Sequence, residues 1–200
     1  VSPKKGSSEN WLKVMSEAHS LGLITTATNV FGFGETNAHR VKHMAKIRQL
    51  QDHSNERGFD GFTAFIAWTV QLENNVFGKK NGGNRNQSVG ATEYLRHIAI
   101  SRLFLDNIDH IQASWLTMGI DVAQLALFGG ADDIGSTMME ENVVSAAGTT
   151  EVICTEEELQ TAITRAGFKA RRRNSEYTRL DTPTLVIDPQ SYPAPPPINN

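Results

Sequence analysis

The residues with the best prospect of doing chemistry gather in and after one short stretch, residues 25–36, reading TTATNVFGFGET. A β-branched run passes Asn29 and enters a turn in which Gly32 and Gly34 let the backbone bend tightly and approach a ligand with no Cβ in the way. Glu35 closes the turn. Its carboxylate can accept hydrogen bonds from a ligand or from neighbouring backbone, or sit as a favourable charge at the N-terminus of the next helix. A second polar group, Gln71, Glu73 and Asn74, follows the apolar run 61–68. It suits either contact with a polar substrate or ordinary loop solvation. Gln112 and Ser114 alternate along a third run and would share one face of a strand. There a polyhydroxylated substrate or a neighbouring strand would satisfy them. Ser136, Glu140 and Glu141 lie in GSTMMEEN, residues 135–142. On a helix the adjacent glutamates would point about 100° apart, so one acts as a base or binds a sugar hydroxyl while the other is solvated.

Other candidates read as structural. His39 and His43 are four apart on one helix face, a metal-compatible spacing, but no third ligand is near and Arg40 and Lys42 flank them, which favours a solvated face. Trp68 and Trp115 read as core. The basic run at 169–173 reads as a solvated helix end.

These residues need elements to hold them. Trp11, Leu12, Met15 and Ala18 have helical spacing behind a Ser7 or Ser8 cap, and Gly22 stops that helix. A strand from Thr25 leads into the glycine turn, and Thr36 or Asn37 caps a helix over 38–53 with Val41, Met44, Ala45 and Ile47 inward. A buried strand is expected over 61–68, an exposed loop over 78–87, a helix over 92–105, a strand over 111–116 and a helix over 121–127. A short segment, 131–134, follows Gly129 and Gly130. Thr155 and Glu158 form a capping box for a last helix that Gly167 ends. Strands alternating with helices imply an α/β fold with a parallel sheet and helices outside. Three or four strands amount to about half of a β/α barrel, and the turn lies where such barrels present their chemistry.

Composition narrows the function. The 200 residues suit one domain, and the net charge of −3 offers no field for nucleic acid or an anionic membrane. The one cysteine, Cys154, excludes an internal disulfide and fits a reducing, cytoplasmic setting. No apolar run approaches a membrane span of roughly 18 residues.

The turn NVFGFGET resembles the late-strand glycine motif of radical S-adenosylmethionine enzymes. The runs FTAFI at 62–66, RLFLDNI at 102–108, HIQASW at 110–115 and GSTMMEENVV at 135–144 resemble one subgroup of them. It comprises the cyclic dehypoxanthinyl futalosine synthases of menaquinone biosynthesis, which the chain resembles most, the aminofutalosine synthases and the deazaflavin-forming synthases. The resemblance covers residues 1–168 and leaves 169–200 as a basic, proline-rich tail. It implies the later βα units of an incomplete TIM-type (β/α) barrel, and a full-length enzyme using S-adenosylmethionine and a [4Fe–4S] cluster. There Asn29, Gly32, Gly34 and Glu35 would face the cofactor. Gln71, Asn74, Gln112, Ser114, Ser136 and Glu140 would bind a nucleoside-like substrate, with Glu73 and Glu141 as catalytic groups. The family's cluster-binding cysteines lie earlier in its barrel, and one thiolate cannot replace three. Departures at Ala67, Leu72, Met118 and the run FGGADD at 128–133 touch the substrate side. The expectations are therefore a partner in a missing N-terminal half or a second copy of the chain, with a non-catalytic, nucleoside-binding remnant as the rival.

Overall fold

A computed structural model describes residues 4–80, 89–137, 146 and 153–178. Helix α1 (Ser8–Ser20) begins where Ser7 accepts a hydrogen bond from the Asn10 amide, and Gly22 follows it at φ +73°. Strand β1 (Thr25–Phe31) runs into the glycine turn and then α2 (Asn37–Glu56). The Thr36 hydroxyl caps α2 by accepting the His39 amide, and the Thr36 amide donates in turn to Nδ1 of the His39 ring. His39 is therefore a capping partner.

Strand β2 (Phe62–Thr69) pairs in parallel with β1, and β3 (His110–Gln112) pairs in parallel with β2. Asp133 adds a parallel bridge beside Gln112, so the sheet runs β1-β2-β3 with a fourth chain segment at its edge. This is a mixed α/β fold with a small parallel sheet. Between β2 and β3 lie α3 (Val76–Lys80) and α4 (Ala91–Phe104), and α5 (Trp115–Met118) and α6 (Ile120–Phe128) follow β3. Helix α7 (Glu156–Arg165) opens on the Thr155–Glu158 capping box. Among the described residues no helix is long and apolar enough to cross a membrane.

The register fixes the two faces of the sheet. Ala27 pairs with Phe65, Asn29 with Ala67 and Phe31 with Thr69. This face lies under the helices: Phe31 stacks on Tyr94 of α4 and meets His97 at a tilt, and Phe65 also meets His97. Met44 and Ile47 of α2 and Ile98 of α4 are fully buried. Each such side chain contributes about 1.5–3 kcal/mol by leaving water. Thr26, Thr28 and Val30, with Ile66, Trp68 and Gln112, share the opposite and more open face.

Several expectations are corrected. The third strand stops at Gln112 because Ser114 turns to cap α5, accepting bonds from the Thr117 amide and hydroxyl. Gln112 and Ser114 are thus not neighbours on one strand face. Helix Val76–Lys80 takes in residues 78–80 of the expected exposed loop, with Gly78 packed against the Leu72 carbonyl; residues 81–87 of that loop lie outside the described residues. Val41 is exposed, because α2 docks through Met44, Ile47 and Leu50. Trp115 is core, but Trp68 is 39% exposed on the open face. The basic run does not simply end in solvent: Arg173 pairs with Asp133 at 2.5 Å and lies over Tyr177, whose ring stacks on His110.

Candidate functional site

The glycine turn sits at the C-terminal end of β1. Gly32 and Gly34 adopt φ of +101° and +90°, a region that L side chains rarely enter. At Gly32 the missing Cβ makes room for Val89 and Val70; at Gly34 no atom lies within 4 Å of where a Cβ would stand. The turn therefore packs inward at its first glycine and opens outward at its second.

Glu35 holds this shape. Its carboxylate accepts the Gly32 amide at 2.9 Å and the Phe33 amide at 2.7 Å, and Arg40 donates to it at 2.7 Å. Burial opposes ionisation, but the bonds from Gly32, Arg40 and Phe33 prevail and keep the carboxyl below its ordinary value. Arg40 also reaches Glu93 on α4 at 2.6 Å and lies 4.6 Å above the Phe31 ring. Arg40 was not among the candidates read from sequence. Opposite charges five residues apart across a helix cap were its available signal.

Asn29 shares the buried face with Ala27 and Phe31, under the helices, and not the open face with Thr28 and Val30. Its Oδ1 has no hydrogen-bond partner, and neither has Nε2 of His43 or of His97. Burial lowers the His97 pKa to about 4, aided by the charges of Arg40 and His43. Burial also lowers His43, offset in part by a hydrogen bond to the Thr28 backbone. His43 is therefore not on a solvated face.

Past β2, the Gln71 amide donates to the Thr69 and Thr117 carbonyls, joining the β2 end to α5. Glu73 and Asn74 are exposed, with Asn74 at φ +54°. Their loop is organised by Asn75, which the sequence reading passed over: its amide donates to the Gln71 and Glu73 carbonyls, and its oxygen accepts the Gly78 amide. Tyr94 ties two strand ends together, donating to the Ala67 carbonyl and accepting the Ser114 amide. Gln112 accepts the Tyr177 hydroxyl at 3.3 Å. Ser136 is exposed, and its carbonyl accepts the Trp115 indole N–H. Glu140 and Glu141 lie outside the described residues. A polar depression of about 520 Å³, bordered by Gln51, Asp60, Thr63, Asn107 and Asp109, lies at the opposite ends of β2 and β3, away from the turn.

The family model of the CofH/MqnC C-terminal region matches residues 59–186. The chain belongs to this family. A cyclic dehypoxanthine futalosine synthase of Streptomyces coelicolor is 51% identical over 148 residues, 74% of this chain and 34% of that protein. One from Halalkalibacterium halodurans is 42% identical over 182 residues, 91% of this chain and 46% of that protein, a span that necessarily includes the glycine turn. A 5-amino-6-(D-ribitylamino)uracil–L-tyrosine 4-hydroxyphenyl transferase of Methanosphaerula palustris is 41% identical over 143 residues, 71% of this chain and 37% of that protein. The chain thus spans between a third and a half of the length of these curated relatives. The turn, which precedes the matched region, and the loop after β2 and the β3–α5 junction, which lie within it, all stand at the C-terminal ends of the parallel strands, where α/β folds place their ligands.

Proposed function

We propose that this chain supplies the cofactor turn and the substrate-side strand ends of a radical S-adenosylmethionine synthase that cyclises dehypoxanthine futalosine in menaquinone biosynthesis. The observation carrying this reading is the 51% identity to a cyclic dehypoxanthine futalosine synthase. When bound, S-adenosylmethionine supplies a 5′-deoxyadenosyl group able to remove a hydrogen atom from the substrate. The turn fits the adenine end of that molecule: a backbone at φ +90° with open space at Gly34 admits a flat ring against the main chain. Gly32 and Gly34 would provide that surface. Glu35 would hold the turn rigid, and Asn29 would support it from beneath. Gln71, Asn74, Gln112, Ser136 and Glu140 would hydrogen-bond the nucleoside-like substrate. Ser114 would act one step back by fixing Thr117, and Glu73 and Glu141 would be the bases.

The residues present do not fit a [4Fe–4S] cluster. Such a site needs three thiolates around one open iron. Cys154 is the one cysteine, it is buried, and burial pushes its thiol up to about 11. Among the described residues no three His, Cys, Asp or Glu side chains form a metal-holding group. Any cluster would be held by residues outside this chain.

The 41% identity to the 4-hydroxyphenyl transferase favours a second reading, transfer of a tyrosine-derived hydroxyphenyl group. Product analysis separates the two. The chain joined to its family's upstream half, reconstituted anaerobically, is given either dehypoxanthine futalosine or ribitylaminouracil with tyrosine. A cyclic futalosine product supports the first reading. A hydroxyphenyl adduct, or no turnover of either despite a full complement of iron and sulfide, overturns it. The 200-residue chain alone should retain no stoichiometric iron, with or without Cys154→Ala.

A further inference from the structure

We infer that Arg40 is a positioning residue that sets the glycine turn and the start of α4 together, so that the cofactor side and the substrate side of the site are fitted as one unit. This rests on the reading of the turn given above. Three contacts meet at its guanidinium: Glu35 at 2.7 Å, Glu93 at 2.6 Å and the face of Phe31 at 4.6 Å. A guanidinium presents its N–H groups in a rigid planar fork, so it satisfies two carboxylates and a ring only when all three stand at fixed places. Glu35 passes that constraint to the Gly32 and Phe33 amides it accepts. Glu93 passes it to the first turn of α4.

A second contact joins the same two segments. The Val89 side chain, just before Gly90 caps α4, occupies the space that a Gly32 Cβ would fill. The chain between the end of β2 at Thr69 and the start of α4 at Ala91 contains Gln71, Glu73 and Asn74. Tyr94, beside Glu93 on α4, donates to the Ala67 carbonyl of β2 and accepts the Ser114 amide, so moving α4 relative to the turn also moves its tie to the strand ends on the substrate side.

The position of Arg40 makes this more than a surface ion pair. Its side chain is 11% exposed and that of Glu35 is 20% exposed, so water screens their bond weakly. Glu93, at 39%, is the more solvated partner and the weaker arm. A lysine in place of Arg40 would keep a charge near Glu35 but could not serve both carboxylates through one fixed plane.

The test uses the chain joined to its upstream half, with S-adenosylhomocysteine as the probe of the adenosine subsite. Its Kd is measured by equilibrium dialysis, and amide hydrogen exchange is followed at Gly32 and Phe33. Arg40→Ala should raise Kd about tenfold, as expected for losing a charge-assisted hydrogen bond that holds the turn, and Arg40→Lys should recover part of this. Glu93→Gln should raise Kd by about threefold. Each variant should speed exchange at the turn more than across the core. Unchanged Kd in both Arg40→Ala and Glu93→Gln overturns the inference, as does a rise in exchange spread evenly over the sheet. If Arg40→Ala fails to fold, Glu93→Gln decides the matter, because its site is more exposed. If the unaltered protein does not bind the probe, the reading of the turn fails. Exchange at Gly32 and Phe33 in the variants then decides separately whether Arg40 fixes the turn.

Discussion

Replacing Gly32 and Gly34 by alanine, separately, is the sharpest test of the turn, because the two share a backbone strain and differ in their surroundings. Both sit at positive φ, +101° and +90°, where an L side chain costs about 1–2 kcal/mol. Gly34→Ala adds nothing further, since no atom lies within 4 Å of the new Cβ. Gly32→Ala places its Cβ 2.7 Å from Val89 Cγ2 and 3.0 Å from Val70 Cγ1, and overpacking of this kind costs about 1–3 kcal/mol more. With about 2–4 °C of melting temperature per kcal/mol, Gly34→Ala should lower Tm by about 5 °C and Gly32→Ala by about 10 °C. Scanning calorimetry reads both. A compensating Val89→Ala should recover much of the excess at Gly32 and none of the loss at Gly34, a non-additive pair beside an additive one. Equal losses at the two glycines, or no recovery with Val89→Ala, would refute the packing argument. In the protein joined to its upstream half, Gly34→Val should in addition weaken cofactor binding, because its side chain stands in the open approach.

Two further outcomes follow from the buried groups and the C-terminal segment. With the His97 pKa lowered from 6.5 to about 4, the unfolded chain takes up a proton in that window that the folded chain refuses. His97 should therefore make stability fall by about 3 kcal/mol as pH drops from 6.5 to 4, and His43 and His19, whose pKa values burial also lowers, should add to that fall. Urea unfolding across that range should show a shallower fall in His97→Leu, while the loss from Glu35, whose pKa is also lowered, begins only as pH falls below its ordinary value of 4.5. Arg173→Ala should destabilise the chain by about 2 kcal/mol, because the nearly buried Asp133 keeps the Gly135 amide but loses its counter-charge, and should couple to Tyr177→Ala in a double-mutant cycle. Near-zero effects in urea unfolding would return residues 173–178 to the status of a loose tail.

Local signals in the sequence located most of the elements. Ser7, Thr36 and the Thr155–Glu158 box mark helix starts because capping acts within three residues of chain. The run 61–68 and the glycine turn were legible for the same reason, since a strand's period and a glycine's positive φ are properties of adjacent residues. The resemblance carried by NVFGFGET and the later runs also pointed to the family, since a motif too is a property of adjacent residues.

What tertiary structure decided was the employment of each polar atom. Glu35 was legible as a carboxylate at a turn, but its use as a brace depends on Arg40 and, through it, on Glu93, which is 53 residues beyond Arg40 in sequence. Asn29 faces the helices because β1 docks through Ala27 and Phe31, a choice that alternation alone leaves open between two faces. The third strand ends early because Ser114 has a nearer partner in Thr117, and Tyr94, from another helix, takes the Ser114 amide. The sequence by itself determined where the chain bends, which runs are apolar and which residues carry chemistry. Only the fold determined which of those residues remain available to a ligand, because a hydrogen-bonding atom is claimed by whatever partner the chain's long-range path brings within about 3 Å.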